Sequence, residues 1–123
     1  MSTLQGVRIL VAGRSQTLAS KARMAVGLGA RMVGLLGRSR LPEGEALVLP
    51  NCQAVHTWGM RFPIDVVFVD GTWGVVEVLK GLLPWRFSPW VLKARSVVEL
   101  PAGAADRVGV MIGDRLILQP VVG

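Results

Sequence analysis

The amino-acid sequence predicts an α+β, mainly β domain, a single compact antiparallel sheet or small β-barrel with short N-terminal helices. Three observations carry this expectation. Short β-branched runs recur along the chain between Gly, Pro and Asp-Gly turn signals. Helical periodicity is concentrated near the N-terminus, and strand-length runs dominate the rest of the chain. The 123 residues, 51% of them hydrophobic, are enough for one packed core and too few for two, so residues 1–123 read as one domain.

Val7 to Ala12 (VRILVA) is a β-branched run closed by Gly13 and reads as the first strand. From Ser15 to Leu36 the spacing of Leu18, Ala22, Ala25, Leu28, Met32 and Leu35 predicts helix, with Ser15 as N-cap. Gly27 and Gly29 split it into two short helices, because each interior glycine costs about 1 kcal/mol. On this helical reading Arg23, Arg31 and Arg38 share the side opposite the apolar arc. A turn at Pro42-Glu43-Gly44 leads into a strand over Ala46 to Leu49. Pro63 separates two further strand candidates, Ala54 to Met60 and Ile64 to Val69. Asp70-Gly71 is a tight-turn signal that folds Trp73 to Leu79 back on Ile64 to Val69 as a hairpin. Lys80 to Trp90, with Pro84 and Pro89, is a loop carrying Trp85 and Trp90, read as a lid over the core of the domain. Ser96 to Leu100 is a strand, Ala102 to Arg107 one helical turn stopped by Gly109, and Arg115 to Leu118 the closing strand.

Charge is unevenly spread. The net charge is +6, yet no acid precedes Glu43, while seven bases do. Such a segment also fits a transit peptide, a reading set aside because it matches the first elements of the domain. No run approaches eighteen apolar residues and no secretory leader is evident, so the expectation is a cytoplasmic protein without a transmembrane segment. One cysteine permits no intramolecular disulfide.

The chain is organised around Cys52 to Asp70 (CQAVHTWGMRFPIDVVFVD), which holds its only cysteine and only histidine. This stretch comes after GLLGRSRLPEGEALVL and precedes PWR and VVELPAGAADRVGVMIGDRL, and in that order the chain resembles the bacterial and archaeal domain-of-unknown-function family 192 over about residues 31–118. The resemblance implies a small β-rich domain of prokaryotic origin and carries no activity with it.

Asp65 stands in an apolar run that normally excludes carboxylates, which predicts a buried and hydrogen-bonded acid. His56 can act as a base, a ligand or an anion donor near neutral pH, and the Pro63 turn can bring Asp65 to it as an orienting partner. Thr57, Met60 and Arg61 flank His56, and Trp85, Arg86 and Trp90 are candidates for an aromatic rim. Cys52 and His56, at i and i+4 of one strand, stand roughly 13 Å apart, too far for a nucleophile and its base. With one His and one Cys, no metal site and no cofactor are expected, and no phosphate-binding glycine motif is present. The leading functional reading is a binding module with a polar cleft at His56, Thr57 and Asp65 for a small ligand or peptide. An enzyme using His56 and Asp65 as an acid–base pair ranks second. A weak nucleic-acid or anionic-surface binder through Arg23, Arg31 and Arg38 ranks third, for want of exposed strand aromatics at stacking spacing.

Overall fold

Ile64-Asp65-Val66-Val67-Phe68-Val69 is buried at every position, the pattern of a strand covered on both faces. In the structure, a computed structural model that describes residues 6–25 and 40–121, this strand lies within a seven-stranded sheet. In chain order the strands are β1 (Gly6–Val11), β2 (Thr17–Met24), β3 (Glu45–Pro50), β4 (Ile64–Val69), β5 (Val75–Leu82), β6 (Ser96–Pro101) and β7 (Leu116–Pro120), with helix α1 (Ala104–Val108) after β6. Their order across the sheet is β5-β4-β6-β3-β2-β1-β7. All neighbours are antiparallel except β2 and β3, which run parallel.

The alternation of β4 sorts its side chains onto two cores. Val67 and Val69 join Ile9, Leu18, Val48, Val98, Leu100 and the α1 residues Ala104 and Val108. Ile64, Val66 and Phe68 face the other way, with Leu47, Leu49, Cys52, Val55, Met60 and Val97. Burying each of these larger side chains contributes roughly 1.5–3 kcal/mol. The sheet is therefore a wall between two apolar layers.

The sheet is open, which corrects the expectation of a barrel. Its edge strands β5 and β7 meet at one end only, through a bridge between Gly74 and Arg115. Backbone bonds from Val75 N–H to Asp114 O (2.7 Å) and Leu116 N–H to Trp73 O (2.9 Å) fasten that corner, and no ladder continues from it. The predicted N-terminal helix is corrected too, because Thr17–Met24 is strand β2. Partners to β1 step from Ala22 opposite Val7 to Ala19 opposite Ile9, then to Thr17 opposite Leu10. Each step adds a residue to β2, and such bulges break strict alternation. Leu18, Ala19 and Ala22 consequently share burial at a spacing that imitates helix. The predicted helical residues after Ala25, with Arg31 and Arg38, lie outside the described residues, and Arg23 is a half-buried strand residue.

The other predicted strands and the β4–β5 hairpin are present, β4 with both ends as expected and the others with ends displaced by at most three residues. Ala54 to Met60 is the exception. It forms no regular strand and pairs only through an isolated bridge between His56 and Phe87 among the described residues.

Candidate functional site

Asp65 is 1% exposed and accepts three backbone N–H bonds, at 2.9 Å from Gly81, 3.0 Å from Gly103 and 3.0 Å from Ala105. Both glycines have positive φ, 66° and 96°, in the left-handed region that glycine occupies without strain. Gly81 lies in a bulge of β5, where Ile64 pairs with Leu82 but Val66 pairs with Leu79, and the bulge turns its N–H inward. Gly103 and Ala105 open α1, whose first N–H groups have no partner within the helix. One carboxylate thus fastens β4 to the start of α1 and to the bulge of β5, as a structural pin.

His56 is exposed and does not join Asp65. Its Nδ1 accepts the backbone N–H of Trp58 at 3.3 Å, which places the proton of the neutral ring on Nε2. The acid–base pair expected from sequence is therefore not assembled, because the hydrogen bonds of Asp65 go to backbone N–H groups on the α1 side of the sheet.

What His56 does join is an irregular two-stranded ribbon made by residues 53–58 and 85–91. Val91 N–H donates to Gln53 O (2.9 Å), Ser88 N–H to Val55 O (2.8 Å), Thr57 N–H to Arg86 O (2.8 Å) and Trp85 N–H to Thr57 O (3.0 Å). Thr57 is fully buried. Its hydroxyl donates to Leu83 O at 2.6 Å and accepts Arg86 N–H at 2.9 Å. These side-chain bonds replace a regular ladder, which is why a strand prediction over Ala54 to Met60 fails.

The ribbon alternates. Val55 and Thr57 point inward, whereas His56 and Trp58 point outward, opposite Phe87 and Trp85. Ring centroids lie 6.3 Å apart for His56–Phe87, 5.7 Å for Trp58–Trp85 and 5.4 Å for Trp58–Phe87, with planes inclined by 49–61°. Trp58, Trp85 and Phe87 nevertheless stay 49%, 59% and 69% exposed, and Trp90 farther along stays 65% exposed. The expected lid is thus turned outward: Trp85 and Trp90 cover no core. Beside the ribbon, against edge strand β5, an open groove of about 340 Å³ is lined by Leu79, Leu82, Leu83, Arg86, Phe87 and Pro89.

Of the candidates from sequence, His56, Thr57, Trp85 and Arg86 come together here, with Arg61 exposed nearby in sequence. Met60 is 5% exposed in the core beneath, and Cys52, also 5% exposed, donates its thiol to Ala54 O at 3.0 Å. Trp58 and Phe87 were not among the candidates. Their signal is the alternation Val55-His56-Thr57-Trp58 set against Trp85-Arg86-Phe87, visible once the two segments are paired.

A second buried acid lies elsewhere. Glu99 on β6 is 5% exposed, and desolvation pushes its carboxyl up to about 7. It pairs in the ladder with Leu47 and Val66, whose side chains both lie in the core opposite α1. Its carboxyl makes no hydrogen bond or ion pair among the described residues, although no side-chain N or O atom of these residues is both sealed from solvent and unpartnered. Among the described residues no group of three His, Cys, Asp or Glu side chains gathers at ligand spacing. No helix of the described residues is long and apolar enough to cross a membrane.

Comparison with known proteins agrees with this architecture. The family model of domain-of-unknown-function family 192, described as an uncharacterized ACR, matches residues 9–118. A UPF0127 protein of the archaeon Thermococcus sibiricus is 36% identical over 90 residues, covering 70% of this chain and 58% of that protein. A UPF0127 protein of Pyrococcus furiosus is 41% identical over 63 residues, covering 51% and 53%. The chain therefore spans little more than half the length of these curated relatives. A crystal structure of a protein of unknown function from Novosphingobium aromaticivorans superposes with a TM-score of 0.81 at 24% identity, covering 95% of this chain and 88% of that one. A crystal structure described as that of a putative transcription regulator from Sinorhizobium meliloti superposes with a TM-score of 0.78 at 23% identity, covering 94% of each. Both share the fold.

Proposed function

The chain belongs to domain-of-unknown-function family 192, and we propose that it serves as a recognition module whose binding surface is the aromatic ribbon. The observation that carries this reading is the outward cluster of His56, Trp58, Trp85 and Phe87. Large rings left in water forgo the stabilisation that burial gives them, and contiguous exposed apolar surface of this kind marks contact with a ligand or partner. The ribbon is also held rigidly, since Thr57 fixes the backbone of residues 83–86 from below. A preorganised surface spends less entropy on binding. The site presents ring faces, an imidazole and the Arg86 guanidinium, and it suits a small ligand or peptide with a flat ring and negative charge. Catalysis is the weaker reading, because among the described residues no carboxylate orients His56 and no nucleophile hydrogen-bonds to it.

The test is a nuclear magnetic resonance titration of the whole chain, following the single imidazole and the four indole N–H signals. The probes are a nucleoside monophosphate, an acidic phenylalanine-containing peptide and a neutral oligosaccharide. At least one is expected to shift His56, Trp58 and Trp85 while leaving Trp73 in place. Shifts confined to other surfaces, or none with any probe, would overturn the reading.

A further inference from the structure

We infer that the ligand of the ribbon is a short run of single-stranded nucleic acid, an inference that rests on the recognition reading above. The first support is electrostatic. The segments 51–62 and 83–95 contain Arg61, Arg86, Lys93 and Arg95 and not one carboxylate, in a chain that elsewhere places acids freely after Glu43. All four cations are exposed. They are also distributed along the ribbon. Arg95 stands at one end, where its carbonyl accepts Cys52 N–H, Arg86 sits among the rings, and Arg61 lies just past the other end.

The second support is the alternation of rings with these charges. His56 with Phe87, then Trp58 with Trp85 succeed one another along the outer face, and Trp90 is exposed farther along the same segment. The tilt of 49–61° between the paired rings of His56, Trp58, Trp85 and Phe87 means that these four form no single flat shelf. A ligand that repeats one planar ring and one negative charge per unit matches that surface, and a nucleotide strand is such a ligand. An acidic peptide brings the charge but seldom a ring at every step. A neutral sugar brings a stacking face and leaves the cations unused. Bases stack on aromatic side chains whatever their identity, and single strands leave base faces free, whereas a duplex hides them. The surface differs from the N-terminal arginines considered from sequence, and it supplies the exposed aromatics that reading lacked.

Fluorescence anisotropy on the full chain provides the test, with fluorescein-labelled ten-residue oligothymidylate and oligouridylate as probes. A blunt DNA duplex and an acidic phenylalanine-containing peptide serve as controls. The single strands are expected to bind about tenfold or more tighter than the duplex. The affinity should fall with salt at a logarithmic slope of about −2, that of three phosphate contacts on a single strand. Trp58→Ala and Trp85→Ala should each weaken binding about tenfold, while Trp58→Phe, which keeps a ring, restores most of it. Arg86→Gln should lower the salt slope by about 0.7. Peptide binding that exceeds the oligonucleotides and is lost in the ring variants would overturn the nucleic-acid assignment and leave the ribbon reading standing. Oligonucleotide binding unchanged in the ring variants, or equal for duplex and single strand, would overturn the assignment and reduce it to general basic attraction. Binding of neither peptide nor oligonucleotide would overturn the assignment as well.

Discussion

Asp65 and Glu99 are two acids buried within one ladder step of each other, yet on opposite faces of the sheet. Asp65 pairs with Leu100 across β4 and β6, and Val66 pairs with Glu99. Asp65 faces the core that contains α1 and has three N–H donors. Glu99 sits among the apolar side chains of the other core and has none among the described residues. Desolvation alone acts on it and raises its carboxyl to about 7. Burial of an acid is thus not one phenomenon. The bulge of β5 and the open end of α1 supply donors on one side, and the aliphatic strand faces supply none on the other.

Breaking the pin should have the largest effect. Asp65→Ala leaves the N–H groups of Gly81, Gly103 and Ala105 without their acceptor, that of Ala105 in a buried position. The expected loss is about 3–5 kcal/mol in urea unfolding at neutral pH. Unfolding that coincides with the parent would show that the pin contributes nothing.

The second experiment sharpens the contrast through pH. The folded carboxyl of Glu99 titrates at about 7, above its ordinary value of 4.5, so the neutral form is the one the fold favours. Its contribution is complete below about pH 4.5 and is lost as pH rises through about 7, reaching roughly 3 kcal/mol. Glu99→Gln should remove that dependence, so parent and variant diverge between about pH 4.5 and pH 7 and stay apart by a constant amount above it. Parallel stability profiles would mean that the Glu99 carboxyl ionises as readily in the folded protein as in the unfolded chain.

Thr57 extends the comparison to a neutral buried group. Its hydroxyl serves Leu83 and Arg86, and Thr57→Val should cost about 1–3 kcal/mol while the Arg86 amide exchanges faster with solvent. Unaltered exchange at Arg86 would indicate that the ribbon holds its form without the hydroxyl.

Trp58→Ala marks the small end of the scale. Trp58 is half-exposed and touches its ring neighbours outside the core, so stability should change by no more than about 0.5 kcal/mol in a thermal melt. A loss several times larger would make the outward rings part of the scaffold.

Much of the chain was legible without coordinates, because local pattern and burial coincide there. β4 reads as a buried strand from Ile64 to Val69, and Asp70-Gly71 marks its hairpin to β5. Asp65 was recognisable as a satisfied acid, since an unpaired carboxylate in such a run is too costly. Three features required the tertiary structure. The bulges between β1 and β2 gave Leu18, Ala19 and Ala22 a helix-like spacing that only strand pairing corrects. The donors of Asp65 lie 16, 38 and 40 residues away, beyond any local signal, so His56 was the nearer and mistaken choice of partner. The ring cluster joins residues about thirty positions apart, and neither segment alternates long enough to declare itself a strand. Sequence periodicity reports which face a residue turns to, whereas the partner it meets on that face is set by the pairing of distant segments.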